Sequence, residues 1–357
     1  MATLYGRAYT RSELLRLVGD MSQVARARPC RLAEGHEDGL SAVDVTTGGG
    51  LEFTVLPGRG LDVSMARHNG RSLAWRSSPT DYHPAFYEPD GPGWLRTFAG
   101  GLLTTCGLTW FGAPSEDDGR ALGVHGRASH IPACGVHCDA EWQGDDYILS
   151  VSGKTREWIT FGENVVMTRR IWARMGESRL YIDDVVENAG YQRTPHMVLY
   201  HCNIGFPVLA PGSRLLAPSA SVQPRDDAAR DGADRYAVMD APVAGFHEKV
   251  YFHTMRPAAD GTVTVALVNP GLDEGFGVYV KYDASTLPLF TQWKQMGEAT
   301  YVVGIEPCNA WVMGRAIERA EGRLQFLEPG ERREYHLEIG IVEGPTQVAA
   351  IEAAARG

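Results

Sequence analysis

The sequence predicts an all-β protein, built as a large antiparallel β-sandwich or barrel. More than a dozen short runs of β-branched and aromatic residues follow one another, without the strand–helix alternation of a parallel α/β sheet. The 41 glycines and 20 prolines are spread along the 357 residues, as expected for turns between many strands. Clear helical patterns stand only at the two ends of the chain.

The first predicted element is a short amphipathic helix. Thr10 followed by Glu13 matches a capping box, and leucines and a valine follow at positions 14, 15, 17 and 18. We assign residues 1–20 to an N-terminal helical extension that covers an edge or end of the larger β structure.

From residue 40 onward the pattern changes to that of strands separated by turns. The first predicted strands are residues 42–47, 51–56, 61–66 and 72–75. A loop from 77 to 96 follows, and the later predicted strands are residues 147–152, 165–174, 180–188, 196–202, 250–254, 263–268, 278–282, 301–306 and 333–341. The acidic segment 225–235 is expected to be an exposed loop, and residues 344–357 a C-terminal helix. No linker divides the chain, so we expect residues 1–357 to form one domain.

Charge and composition limit the partners. The net charge is −10, and no block of lysine or arginine offers a face for phosphates, so we expect neither a nucleic acid nor a membrane as partner. No apolar run of about 18 residues is present and the N-terminus lacks the apolar centre of a signal peptide, which predicts a cytoplasmic protein. The six cysteines are expected to be reduced.

Polar residues at the ends of buried strands are the first candidates for chemistry. His201 and Asn203 interrupt an apolar run and share one face of a strand, and Glu306 ends another such run just before Pro307. A buried carboxylate is costly unless it is paired or used. The alternative for His201 is a core histidine whose ring nitrogens bond to backbone groups, and the alternative for Glu306 is a side chain exposed to solvent.

Three further segments supply candidate binding residues. His125 and Arg127 flank a glycine in one turn, Arg59 follows a strand, and Trp293 stands beside Lys294. An aromatic face next to a cation is typical of a sugar platform, although turns and core packing explain such residues equally well.

Metal and cofactor sites are not predicted. Nucleotide-binding and nucleophilic-serine motifs are missing. A cluster of Cys134, Cys138, His137 and His130 lacks the second pair of a zinc site. The sequence leaves open whether a metal is bound by a second set of residues, namely His125, His196, His201 and Glu306.

Taken in order, these segments resemble the aldose 1-epimerase (galactose mutarotase-like) superfamily, and more closely its branch of bacterial proteins with an aldose-epimerase-like domain. The resemblance rests on PGRGLDV, GGLLTTCGL, VHGRAS, LYHCNIGFPVL, QWKQMG and VVGIEPCN, which span nearly the whole chain. It implies a galactose mutarotase-like β-sandwich, or supersandwich, with one cleft.

The resemblance also implies roles for several residues. His201 corresponds to the general acid at the ring oxygen, Glu306 to the general base, and His125 and Arg59 to groups that hold the sugar. No secure match exists for the family's sugar-gripping aspartate, since Asp240 and Asp283 stand in unlike contexts, and the pair Trp293–Lys294 is a candidate replacement.

We therefore expect a mutarotase-like isomerase that opens the ring of a free or modified aldose, acidic sugars included, by Glu/His acid–base chemistry without a cofactor. The alternatives are a sugar isomerase, epimerase or lyase on the same scaffold, and a non-catalytic carbohydrate-binding sandwich. The expected partner is a small-molecule sugar, and the sequence is compatible with a homodimer.

Overall fold

Antiparallel strand pairing organises the protein, as seen in a computed structural model that describes residues 1–356. The N-terminal third contains β1 (Ala2–Leu4), β2 (Arg7–Tyr9), α1 (Arg11–Leu15), β3 (Arg26–Arg31), β4 (Ser41–Thr46), β5 (Leu51–Leu56), β6 (Asp62–His68), β7 (Arg71–Ser72), β8 (Thr104–Leu108), β9 (Ser115–Asp117) and β10 (Arg120–Leu122).

The remaining elements are β11 (Cys134–Gln143), β12 (Asp146–Trp158), β13 (Asn164–Arg174), β14 (Arg179–Asn188), β15 (Thr194–Ile204), β16 (Arg214–Leu216), β17 (Ser219–Pro224), α2 (Asp227–Arg230), β18 (Lys249–Met255), β19 (Thr262–Asn269), β20 (Phe276–Asp283), β21 (Leu289–Gly297), β22 (Thr300–Cys308), α3 (Arg315–Ala320), β23 (Gln325–Leu327), β24 (Arg332–Glu343) and α4 (Gly344–Arg356). Short 3-10 turns lie between them, among them Gly93–Thr97 and Ala233–Arg235.

Two large sheets and one smaller sheet form the body. The eight-stranded sheet has the order β11-β12-β13-β14-β24-β20-β19-β16, and the seven-stranded sheet has the order β17-β18-β21-β22-β15-β23 with β8 paired to β15. Strands β3 to β7 form a five-stranded meander. The prediction of a large antiparallel β-sandwich is confirmed.

The faces of the sheets explain where the site lies. Strand β14 alternates between buried and half-buried residues, so only one of its faces packs into the core. Strands β15 and β22 are buried on both faces over most of their length. A large apolar cluster covers one face of these two strands, and a second cluster rich in aromatic residues covers the other. The second face carries the candidate site.

The N-terminal segment differs from the predicted helical extension. The capping box of Thr10 and Glu13 is confirmed, but α1 spans only one turn or so and a β1–β2 hairpin precedes it. Tyr5 and Gly6 both have positive φ, which is the geometry of a two-residue hairpin turn.

The segment 225–235 also differs from its prediction as an exposed loop, because it contains α2 and a 3-10 turn. The C-terminal helix is present from Gly344 to Arg356, and residue 357 lies outside the described residues. Within residues 1–356, no helix combines the length and the apolar character needed to span a membrane.

A buried ionic network joins the three sheets. The fully buried Arg169 on β13 donates to both carboxylate oxygens of Asp184 on β14, at 2.8 and 2.6 Å. It also donates to Asp62 on β6 at 3.1 Å and to Thr105 on β8 at 2.8 Å. Tyr200 on β15 donates to Asp184 at 2.7 Å. Burial raises the pKa of Asp62, against the opposing effect of Arg169.

Removing the cation from this network should be strongly destabilising. Arg169→Ala leaves two buried carboxylates without a counter-charge, and we expect a loss of about 3–5 kcal/mol in the free energy of unfolding, measured by urea denaturation. Arg170→Ala, next along the strand and directed to the other face, should cost under about 1 kcal/mol. Equal losses in the two variants would contradict this role of Arg169.

Candidate functional site

A cleft opens on the aromatic side of the seven-stranded sheet. Its floor is formed by β15, β18, β21 and β22, and its walls by the turn at 93–98 and the segments around 112–114 and 125. The cleft has a volume of about 290 Å³. That is near the lower end of the roughly 300–1,000 Å³ of small-molecule sites.

Strand register brings three polar side chains into one row on the floor. Cys202 pairs with Ile305 and Leu199 with Cys308, a register that puts His201 opposite Glu306. Thr291 on β21 pairs directly with Glu306 from the other side. Residues opposite each other on neighbouring antiparallel strands have Cβ atoms about 4.5–5.5 Å apart. The row therefore places an imidazole, a carboxyl group and a hydroxyl side by side.

The neighbouring row leaves space for the Glu306 carboxyl group. It contains Asn203, Gly304 and Trp293, with Gly304 in the middle. A Cβ atom at position 304 would overlap Glu306 Oε1 and lie 3.0 Å from Trp293 Cβ. The missing side chain of Gly304 is thus the space into which the carboxyl group of Glu306 folds.

His201 and Glu306 touch. His201 Nε2 lies 3.3 Å from Glu306 Oε1, and the two side chains are 6% and 2% exposed. The contact is not aligned as a hydrogen bond, and among the described residues neither Glu306 Oε1 nor His201 Nδ1 has a hydrogen-bond partner. Both groups therefore retain unused hydrogen-bonding capacity at the bottom of a cleft, where a ligand could satisfy it.

Burial shifts the pKa values of Glu306 and His201 in opposite directions. It raises the pKa of Glu306 well above its ordinary value, and the nearby negative charge of Glu248 raises it further. Burial also lowers the pKa of His201 well below its ordinary value. Burial therefore favours the neutral carboxylic acid and the neutral imidazole over the ion pair. The ordinary pKa values of the two free groups would favour the ion pair instead, and desolvation reverses this preference.

Aromatic rings enclose the row. Phe98 and Trp293 lie 5.5 and 5.4 Å from the His201 ring, measured between centroids, and Trp94 stacks on Phe98 at 4.5 Å. Neither Trp94 nor Phe98 was predicted as a site residue: Trp94 lies in the segment 77–96, which was expected to be a loop, and Phe98 lies two residues beyond it. The available signal was the length of that loop together with its tryptophan and glycines, because long ordered loops are often functional.

His125, which is predicted to hold the sugar, forms part of the cleft wall. Its backbone has φ 58° and is held by hydrogen bonds with Gly107 and Gly112, at 3.1 Å each. The ring lies 5.8 Å from that of His201, and its Nδ1 has no hydrogen-bond partner within residues 1–356. Burial lowers the pKa of His125 to about 4, so a neutral imidazole faces the cleft.

Four predicted binding residues do not line the cleft. Lys294 points to the opposite side of β21, where its ammonium group donates to the carbonyl oxygens of Arg235 and Val238 at 3.0 and 2.6 Å. Alternation along the strand explains the correction, since Trp293 and Lys294 face opposite sides. Arg127 is exposed and lies over the ring of Trp110 instead.

Arg59 and Asn203 have structural contacts. Arg59 is buried and donates to the carbonyl oxygens of Ser129 and Thr97 at 3.2 and 2.9 Å, which fastens two loops to each other. Asn203 does share a strand face with His201, but its amide donates to Gly101 O and His201 O at 3.0 and 2.9 Å. These two residues therefore support the site from outside the cleft.

The suggested metal ligands do not converge. His196 is buried away from the cleft, between Leu108 O at 3.1 Å and the hydroxyl of Tyr335 at 2.6 Å. Cys134 and Cys138 lie on β11, where Cys138 contacts Ala27 O. Among residues 1–356, no group of three or more His, Cys, Asp or Glu side chains is arranged to hold a metal ion.

Comparisons with known proteins agree with this architecture. A family model described as a domain of unknown function (DUF4432) matches residues 37–341. A candidate aldose 1-epimerase from Klebsiella pneumoniae has 27% sequence identity and a TM-score of 0.88, over 92% of this chain and 86% of that one. The search of curated proteins found no match.

Two more distant structures share the fold. A galactose mutarotase-like protein from Clostridium acetobutylicum has 12% identity and a TM-score of 0.63, over 89% of this chain and 99% of that one. A galactose 1-epimerase from Lactobacillus acidophilus has 12% identity and a TM-score of 0.57, over 90% of this chain and 100% of that one. The predicted resemblance to the galactose mutarotase-like superfamily is confirmed.

The raised pKa of Glu306 predicts a pH-dependent gain in stability for Glu306→Gln. The unfolded glutamate ionises near its ordinary pKa while the folded one stays protonated, so the wild type loses stability as the pH rises from about 4.3 toward the folded pKa. Glutamine is neutral throughout. The variant should therefore gain stability relative to the wild type as the pH rises above the ordinary pKa of glutamate, measured by urea denaturation between pH 5 and 8.

The control is Glu52→Gln, which removes an exposed carboxyl group instead of a buried one. A difference between wild type and Glu306→Gln that stays constant from pH 5 to 8 would mean that Glu306 titrates like a free carboxyl group.

Proposed function

We propose that this chain, which belongs to the family described as a domain of unknown function (DUF4432), is an aldose 1-epimerase-like isomerase that interconverts the anomers of an uncharged aldose. The contact between His201 Nε2 and Glu306 Oε1, 3.3 Å at the bottom of the cleft, carries the proposal. Its support from the fold is the likeness to the candidate aldose 1-epimerase from Klebsiella pneumoniae. We also propose that residues 1–357 act as one domain, since β15, β18, β21 and β22 contribute to a single cleft.

The reaction needs one acid and one base next to the same carbon. The anomeric hydroxyl and the ring oxygen are both bonded to C1, so two groups in mutual contact can each reach one of them. One group accepts the hydroxyl proton while the other donates a proton to the ring oxygen, and the C1–O5 bond breaks to give the aldehyde. Rotation about C1–C2 and ring closure return both protons, and the pair ends as it began.

A single shared proton is sufficient for this cycle. In the empty cleft it lies on Glu306, for the reasons of burial given above. Sugar hydroxyls that donate to the carboxyl oxygens stabilise the carboxylate and move the proton to His201. The bound pair then has Glu306 as base and His201 as acid, with neutral His125 as a partner for another hydroxyl.

The charges of the cleft favour an uncharged sugar. Arg127 and Lys294, the candidate binding cations that would suit an acidic sugar, have their contacts elsewhere. Arg225 is the only cation among the described residues that line the cleft, and its guanidinium is already paired with Glu248 and Asp226 at 3.0 and 2.8 Å. The aromatic rings of Trp94, Phe98 and Trp293 offer apolar faces for the C–H groups of a neutral sugar.

A second candidate is a sugar isomerase, epimerase or lyase that removes a C–H proton. A base beside an acid favours this chemistry as well. The two reactions differ in isotope exchange, because anomer interconversion keeps every C–H bond of the sugar. A non-catalytic sugar-binding protein would bind without accelerating either process.

Anomer exchange measured by two-dimensional NMR in D₂O tests the proposal. We expect the wild type to accelerate exchange of at least one of D-glucose, D-galactose, D-xylose and L-arabinose, with no deuterium entering at carbon and no acceleration for D-glucuronate or D-galacturonate. Glu306→Gln and His201→Asn should each lower the rate by about 10²–10⁴, the usual contribution of a positioned acid or base. Glu52→Gln should retain the wild-type rate.

Wild-type protein that accelerates none of the four neutral sugars would refute the proposal, as would a Glu306→Gln variant at the wild-type rate. Deuterium at C2 would favour the second candidate.

A further inference from the structure

We propose that Glu248 is a positioning residue that sets the affinity for sugar by holding the ring of Trp293 in place, an inference that rests on sugar binding in the cleft as proposed above. Glu248 precedes β18 and stands at the mouth of the cleft. Neither the sequence patterns nor the resemblance pointed to it.

A direct hydrogen bond connects the two residues. The indole Nε1 of Trp293 donates to Glu248 Oε2 at 2.8 Å. The backbones are also registered, because Val250 on β18 pairs with Trp293 on β21. An ionised acceptor makes this kind of bond stronger than a neutral one. The bond therefore fixes the rotation of the ring about its side-chain torsions.

The orientation of Trp293 matters because the ring touches the reactive pair. Its centroid lies 5.4 Å from that of His201 with an interplanar angle of 78°, and 6.0 Å from that of Trp75 with an angle of 77°. Trp293 Cβ also borders the space at Gly304 that receives the Glu306 carboxyl group. A tilted ring would disturb both the aromatic wall and the floor of the cleft.

Glu248 is itself held from the other side. Its Oε1 accepts from Arg225 at 3.0 Å, and Arg225 Nε donates to Asp226 at 2.8 Å. Asp226 in turn accepts from the backbone of Ala229 and so caps α2. The segment expected to be an exposed loop thus connects, through three side chains, to the ring that faces the sugar. A preorganised platform binds more tightly than a mobile one because less ordering is needed on binding.

A double-mutant cycle separates positioning from direct contact. Glu248→Ala removes the acceptor, and Trp293→Phe keeps an aromatic face but lacks the indole N–H. We expect each single variant to raise the Kd for the neutral aldoses about three- to tenfold, which corresponds to the loss of one hydrogen bond. The double variant should be no weaker than Trp293→Phe alone. The Kd is measured by NMR titration with D-galactose, D-glucose, D-xylose and L-arabinose.

The indole ¹H–¹⁵N resonance of Trp293, assigned from its absence in Trp293→Phe, gives an independent readout. It should move upfield in Glu248→Ala without any sugar present. The chain provides a matched control, because Trp172 donates to Asp183 at 2.7 Å on the eight-stranded sheet, away from the cleft. Asp183→Ala should move the Trp172 resonance and leave both the Trp293 resonance and the Kd unchanged.

The inference is overturned if Glu248→Ala weakens binding equally in the wild-type and Trp293→Phe backgrounds, since Glu248 would then contact the sugar directly. An unchanged Trp293 resonance, or absence of binding to all four sugars, would also overturn it. Binding without anomer exchange would instead refute the proposed function, and the double-mutant cycle would still test the role of Glu248 because it is measured by Kd.

Discussion

Arg169 lies where the three sheets meet, and its guanidinium bonds to a carboxylate of the small meander, a carboxylate of the eight-stranded sheet and a threonine on the strand paired with β15. Buried charges are tolerated only when their partners are correctly placed, so the network accepts few arrangements of these strands. Tyr200, one residue before His201, is held by the same Asp184. The ionic network therefore fixes the strand that carries the histidine of the site.

The geometry of the candidate site then depends on register, because a shift of one residue would turn every side chain to the other face. The pairing of β15, β22 and β21 sets His201, Glu306 and Thr291 in one row and leaves the gap at Gly304 beside it. The same burial that makes the sheet stable makes an ionised Glu306 costly. In the proposed function, the carboxylate form of Glu306 that serves as base is thus the form that burial destabilises.

The sequence was sufficient for the fold class, for the capping box at Thr10 and for the meeting of His201 with Glu306, because polar residues inside apolar strands are costly and therefore informative.

The sequence was insufficient where tertiary contacts decide which way a side chain points or what it binds. Lys294 and Trp293 are adjacent in the chain but face opposite sides of β21, and only the site's location shows which side matters. Arg59 has the composition of a ligand-binding residue but serves two loop carbonyls. Trp94 and Glu248 come from segments without periodicity, whose paths depend on the sheets beneath them.

The central claim is that His201 and Glu306 share one proton, which lies on Glu306 while the cleft is empty. The most direct measurement is ¹⁵N NMR of the His201 ring nitrogens between pH 5.5 and 8.5, without sugar and then with a saturating neutral aldose. Our account predicts a neutral imidazole throughout this range in the empty protein and a protonated ring when sugar is bound. Titration of His201 near pH 6.5 in the empty protein, unaffected by sugar, would contradict it.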